Sequence, residues 1–140
     1  MSWNPPNDEE VKQLLTTSKN VAIVGISNKE ERASFQVAKW LQQHSHFTLF
    51  FINPVIEEVL GQKTYPSLAD VPDHIDIVDV FRRAEDCLPV LEKAIEIGAA
   101  SIWLQLGISN SDVAEQGSAV GMRVVMDRCI KVDYAALVRR

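Results

Sequence analysis

The chain has 140 residues, enough for one domain over residues 1–140 with a complete core, because about two thirds of the unfolded surface of a chain this long is buried on folding. Its composition, 46% hydrophobic with a formal net charge of -5, fits a soluble globular protein and excludes a nucleic-acid binder that works through a general basic surface. Any anionic ligand has to be held by local cations, and Cys87 and Cys129, far apart and without the spacing of a zinc site or a CxxC motif, read as reduced thiols.

The opening stretch, MSWNPPNDEE, is acidic and interrupted by Pro5 and Pro6. It lacks the basic start and apolar centre of a secretory signal, so a cytoplasmic protein is expected. NDEEVKQLLTTS then sets Val11, Leu14 and Leu15 on one helical face, with Asn7 or Asp8 as the cap. NVAIVGI is a β-branched run that stops at Gly25 and reads as the first strand. A polar loop follows, and an amphipathic pattern runs from Ser34 to about His44. FTLFFIN is the second strand, and this longest apolar run is about a third of the ~20 residues that a membrane-spanning helix needs. PVIEEVLGQKTYPSLADVPDH has no long period and reads as a loop with at most a small strand and one helical turn at SLAD. IDIVDVF is the third strand, and a helical pattern from about Ala84 to Ile97 follows, which Pro89 either opens at its first turn or kinks. ASIWLQLG, a helix from Asp112 to about Val120, and MRVVMD complete the pattern. Strands that alternate with helices call for right-handed crossovers, hence an α/β fold with a parallel sheet of about five strands and helices on both faces.

In such a sheet, ligands bind beyond the carboxyl ends of the strands, near the point where strand order reverses, which makes the loop from Gly25 to Ser34 a candidate ligand loop. The dinucleotide fingerprint G-x-G-x-x-G would put its glycines where this chain has Gly25, Ser27 and Glu30. Only the first is present, and the second strand ends in Asn53-Pro54 where a carboxylate would grip an NAD ribose. A dinucleotide dehydrogenase is therefore disfavoured, and no P-loop sequence supports an ATPase. The loop instead offers two hydroxyls, Ser27 and Ser34, and two cations, Lys29 and Arg32, all able to donate to phosphate oxygens. The alternative is that Ser34 only caps its helix and Arg32 is a solvated surface charge. Arg82 and Arg83 follow the third strand and Arg128 the last, so arginines recur along one edge of the sheet, although Arg128 could equally pair with Asp79 or Asp127.

Five ordered blocks, VAIVGISNKEERASFQVAKWL, INP, YPSLADVPDHIDIVDVFR, AIEIGAASIWLQLGI and GMRVVMDRC, resemble the small stand-alone CoA-binding proteins, relatives of the N-terminal domain of the succinyl-CoA synthetase alpha subunit. The resemblance spans about Leu14 to Asp133. It implies a Rossmann-like sheet with coenzyme A as the ligand, its phosphates met by Gly25, Ser27, Arg32 and Ser34. Asn53 and Pro54 would border the nucleotide moiety; Val80, Phe81 and Arg82 would form the strand-end wall; Gln105 and Gly107 would line the pocket near the pantetheine arm. Relatives often carry proline in the first loop, where this chain has Glu30 and Ala33, and the added acidity of Glu30 and Glu31 should repel phosphate somewhat.

A phosphohistidine step, as in the full synthetase, needs a second domain carrying the histidine, and none is expected within these 140 residues. His44 and His46 flank a helix end and His74 lies in a loop without a second ligand at metal spacing, so all three read as structural or surface residues. His74 and Asp76 have no evident nucleophile beside them, and Asp76 and Asp79, which could be imagined as paired catalytic carboxylates, read better as partners of loop amides or arginines. Cys129 ends a strand on the ligand edge and reads first as a buried, inert thiol, with activation by the adjacent arginine as the alternative. The expectation is a non-catalytic CoA or acyl-CoA binding protein with a small-molecule partner, without nucleic acid or membrane. The alternative is an enzyme using a bound nucleotide cofactor, such as a minimal dehydrogenase or an acyl-CoA transforming subunit acting with a second chain.

Overall fold

Short runs of β-branched and aromatic residues pair into one seven-stranded sheet in the computed structural model, which describes residues 3–139. Met1, Ser2 and Arg140, the ends of the expected domain, lie outside that range. The strands are β1 (Asn20–Val24), β2 (Thr48–Ile52), β3 (Glu58–Val59), β4 (Gln62–Tyr65), β5 (Ile77–Val80), β6 (Ser101–Leu104) and β7 (Arg123–Val125). They lie in the order β3-β4-β2-β1-β5-β6-β7, and every pair is parallel except β3 with β4. The α/β class expected from the sequence holds, whereas the count of five strands does not. The difference is the β3–β4 hairpin, whose central residues, Leu60 and Gly61, both have positive φ, as a tight primed turn requires. Leucine is a poor signal for that conformation, which is why the sequence reads as loop there.

Helices cover both faces. α1 (Asp8–Thr17), α2 (Ala33–His44) and α5 (Ile130–Asp133, continuing as a π-helical turn over Tyr134–Val138) bury Val11, Leu15, Val37, Leu41, Ile130 and Tyr134 against Ile23, Ile77 and Trp103 of the sheet. On the other face α3 (Cys87–Glu96) and α4 (Ser111–Ala119) bury Leu91 and Val113 against Val78, Ile102 and Leu104. The alternation of neighbouring strand residues between the two clusters is the period of two inherent to a strand. Asn7 caps α1 in a reciprocal box with Glu10, its Oδ1 accepting the Glu10 N–H at 2.9 Å. Pro89 sits in the first turn of α3, where its missing N–H costs no intrahelical bond. The final helical segment is not legible from periodicity, because Val132, Ala135 and Ala136 all face solvent. Long-range contacts hold it: the Tyr134 hydroxyl accepts the His46 backbone N–H at 3.0 Å and lies 2.7 Å from His46 Nδ1. Trp3 lies against the outer edge of β7, its indole N–H donating to the Val124 carbonyl at 2.9 Å. No helix among the described residues is long and apolar enough to cross a membrane.

Asp76 is a partner of backbone amides, as the sequence suggests, whereas Asp79 and Arg128 resolve differently from the alternatives it offers. Arg128 Nε donates to Asp133 at 2.7 Å and its terminal nitrogen to Asp8 at 2.8 Å, tying the segment after β7 to α5 and to the first turn of α1. It pairs with neither Asp79 nor Asp127 and is turned away from the ligand edge; Asp127 instead accepts the Gly107 N–H at 2.6 Å. Asp76 accepts the backbone N–H groups of Lys19 and Asn20 at 2.9 and 2.8 Å and lies 3.6 Å from His74. Asp79 is fully buried between Ile23 of β1 and Trp103 of β6, and neither carboxylate oxygen finds a partner among the described residues. Asp76 and Asp79 thus have separate roles and form no catalytic pair.

Burial without a partner pushes the Asp79 carboxyl well above the ordinary aspartate range. The folded state therefore holds a proton that the unfolded chain releases near pH 4, and stability falls as pH rises from there through the folded-state value, by up to about 1.4 kcal/mol per unit. Asp79→Asn keeps the shape and cannot ionise. Its stability relative to wild type is expected to grow with pH across the neutral range in urea titrations; a constant difference would show that Asp79 is ionised in the native protein. Arg128→Met should destabilise the fold by about 1–3 kcal/mol, since it leaves the mostly buried Asp133 without its charged partner. Denaturant unfolding measures this, and an unchanged midpoint would reduce the clamp to a surface contact.

Candidate functional site

The chain leaves β1 for β2 on one side and later enters β5 on the other, so the order of strands reverses between β1 and β5. A crevice is expected outside their carboxyl ends, and a cavity of about 760 Å³ opens there, well within the size of small-molecule sites. Gly25, directly after β1, is where the two loops meet. It has φ +88, and a Cβ built on it would lie 2.5 Å from the Phe81 carbonyl oxygen. Both constraints demand glycine at this position. Phe81 in turn donates its N–H to Val24 at 2.9 Å, so the ends of β1 and β5 are fastened beneath the cavity.

Beyond Gly25 the chain is shaped by its serines. The Ser34 hydroxyl, buried in the first turn of α2, accepts the Ser27 N–H at 3.0 Å, and the Ser27 hydroxyl accepts the Lys29 N–H at 3.0 Å. Each hydroxyl keeps its own proton to donate. Ser34 is not the helix cap: α2 begins at Ala33, and Arg32 at the capping position makes no side-chain cap bond. The first amides of α2 are thus without a side-chain acceptor, and Ala33 and Ser34 line the cavity. Asn53 braces the loop from outside. Its amide donates to Ile26 at 2.8 Å while its Oδ1 accepts from Val55 and Ile56 at 2.7 and 3.0 Å.

Seven of the residues singled out from the sequence, Gly25, Ser27, Arg32, Ser34, Phe81, Arg82 and Gln105, converge on this one cavity. Four do not line it: Asn53 and Pro54 lie in the loop after β2, Val80 is buried among the residues facing α3 and α4, and Gly107 ties its loop to Asp127. Lys29, Arg83 and Cys129 join the lining, together with apolar Val37, Leu106 and Ile108, for which the sequence carried no signal. In a sequence, Val37 is indistinguishable from any other apolar residue on the core face of a helix.

The lining combines two chemical characters. Lys29, Arg32, Arg82 and Arg83 are its cations. Arg83 is occupied by Glu85 and Asp86 at 3.7 and 3.2 Å, whereas Lys29, Arg32 and Arg82 have no carboxylate partner among the described residues. Phe81, Val37, Leu106 and Ile108 are apolar, and Leu106 exposes 68% of its surface at the rim. Among the described residues no cluster of three His, Cys, Asp or Glu side chains could hold a metal ion. This arrangement can hold a ligand that is in part polyanionic and in part apolar.

Comparison with known proteins points the same way. The protein YneT of Bacillus subtilis is 38% identical over 130 residues, which cover 93% of this chain and 96% of that one. A solved structure of a hypothetical protein from Pyrococcus horikoshii OT3 superimposes with a TM-score of 0.91 at 34% identity, covering 99% of each chain. The alpha subunit of the ADP-forming acetate–CoA ligase II of Pyrococcus furiosus is 29% identical over 125 residues; these are 81% of this chain but only 27% of that subunit. The CoA binding domain family matches residues 19–135, which take in β1, the serine-shaped loop and every strand end around the cavity, and this chain belongs to that family.

Proposed function

We propose that the cavity binds coenzyme A or an acyl-CoA, and that the chain, as a single cytoplasmic domain, does so without catalysing a reaction itself. The observation that carries this reading is the convergence of Lys29, Arg32 and Arg82, none with a carboxylate partner among the described residues, on the strand-reversal point of a protein with net charge -5. Unpaired cations gathered at one concave site in an acidic protein fit a compact polyanion, and CoA carries a diphosphate and a 3′-phosphate. In this reading the first amides of α2 and the Ser27 and Ser34 hydroxyls meet phosphate oxygens, as a helix N-terminus does for anions generally. Arg32 supplies the fork that can hold two oxygens at once.

The apolar residues and Gln105 receive the pantetheine arm. Phe81 and Arg82 form the wall at the end of β5. Asn53, Pro54, Val80 and Gly107 act at one remove, by fixing the loops and the sheet edge around the nucleotide. A second reading, a subunit that transforms acyl-CoA together with another chain, draws on the likeness to the acetate–CoA ligase alpha subunit, of which this chain spans 27%.

Small molecules released from the purified protein and identified by mass spectrometry should include CoA species; NAD(P) without any CoA species would overturn the proposal. Arg32→Ala should weaken CoA binding about ten- to hundredfold, the equivalent of the 1.5–3 kcal/mol that a charge-assisted hydrogen bond contributes. Arg32→Lys should recover only part of it, because an ammonium has no fork. Titration calorimetry on variants whose circular dichroism matches wild type decides the matter. Wild-type affinity in Arg32→Ala would make Arg32 a surface charge only.

A further inference from the structure

We propose that Cys129 is a thiol–disulfide exchange site that takes up half of a symmetrical pantetheine-type disulfide, oxidised CoA, as a mixed disulfide inside the cavity. The inference rests on the CoA reading above and adds to it a covalent, redox-dependent state of the same site.

Cys129 is half-buried and forms part of the cavity lining. Its position is unusually well fixed for a residue between secondary-structure elements. The Arg128 carbonyl accepts the Trp103 indole N–H at 2.8 Å, and the Ile130 N–H donates to Gln105 Oε1 at 3.1 Å, so both neighbours of the cysteine are anchored to buried residues that belong to or directly follow β6. The Asp133 N–H donates to the Cys129 carbonyl at 3.0 Å. The thiol itself makes no cap bond at the start of α5.

Gln105 supplies a second, independent feature beside this thiol, a free donor facing the cavity. It is 5% exposed and lines the cavity; its Oε1 must face the Ile130 N–H, which fixes the amide orientation. Its Nε2 then makes no hydrogen bond to any described residue, yet it is not sealed in the core as Asp79 is. A nearly buried amide donor that opens on the cavity and has no protein acceptor is left available to an occupant. The pantetheine arm carries amide carbonyls along its length and a sulfur at its end, which suits an amide donor next to a thiol.

Cys87 is the built-in contrast. It is fully buried, its Sγ directed at the Arg83 carbonyl at 3.4 Å, and burial followed by the charge of Asp86 pushes its thiol up to about 11. Arg128, adjacent to Cys129 in sequence, is committed to Asp133 and Asp8. The place of Cys129 in the cavity lining lets binding raise the local concentration of a disulfide at its thiol.

In the exchange, Cys129 loses its proton to solvent and the thiolate attacks one sulfur of CoA–S–S–CoA. A Cys129–S–S–CoA bond forms, the original S–S bond breaks, and the second CoA leaves as a thiolate that takes a proton from solvent. The Cys129 sulfur is oxidised to the disulfide level, one CoA sulfur is reduced to a thiol, and a further thiol reverses the step.

The test is intact-protein mass spectrometry of the reduced full chain after incubation with oxidised CoA or, at equal concentration, oxidised glutathione, beside calorimetric titration of wild type with reduced CoA. The expected result is a single CoA adduct, reversed by dithiothreitol, mapped to the Cys129 peptide and formed at least about tenfold faster than the glutathione adduct. Cys129→Ser should take no adduct. If wild type binds reduced CoA but forms no adduct, the exchange site is wrong and the binding function stands. An adduct on Cys87, or glutathione transfer at an equal rate, also overturns it. If reduced CoA does not bind and no adduct forms, the CoA reading itself falls.

Discussion

The contact on which the site depends is between a hydrogen atom and a carbonyl. At Gly25 the loop after β1 passes so close to the Phe81 carbonyl that the position has no room for a side chain, and its backbone adopts a conformation that other residues resist. The close passage brings the ends of β1 and β5 together at the point where the strand order turns back. Everything above that point is arranged from there: the serine-shaped loop, the uncapped start of α2, and the arginines that follow β5. A dinucleotide fold uses three glycines to bring a backbone to a pyrophosphate. This chain keeps the first and carries instead two hydroxyls and two cations, on a loop that closes on itself through Ser27 and Ser34.

Electrostatics at the site are local in origin. The protein as a whole repels anions, and Glu30 and Glu31 stand exposed on the loop that meets the cavity. Arg83 and Arg128 are already neutralised by carboxylates of their own surroundings. What distinguishes Lys29, Arg32 and Arg82 is therefore the absence of such partners among the described residues, rather than their charge. Over a Debye length of about 8 Å at physiological ionic strength, such a trio governs the cavity while the remote net charge is screened.

Much of this was legible in the sequence because the responsible signals are local. A β-branched run ending in glycine, a polar loop and an amphipathic helix announce β1, the ligand loop and α2, and arginines directly after an apolar run announce their place at a strand end. What could not be read depends on contacts between distant segments. Arg128 meets Asp8 across 120 positions, and no spacing rule reaches that far. Asn53 sits at a strand end, where a nucleotide could lie, but its amide is used up on three backbone groups. Val37, Leu106 and Ile108 are apolar residues whose side chains border a cavity, and hydrophobic pattern alone does not separate such residues from those in a filled core. Leu60 adopts a positive φ that its side chain disfavours, so the hairpin it turns was hidden behind an ordinary residue.

The Trp3 indole on the Val124 carbonyl has a wider consequence. β7 is the last strand of its sheet, and an unpaired row of backbone groups there is a template on which a second molecule can extend the ladder. The aromatic ring occupies one of those acceptors and places its bulk across the path of an incoming strand. At the opposite border, the two-residue β3 with its exposed Glu58 gives too short and too charged a seam to extend. The apolar central strands are thus flanked by margins that offer little to an added strand.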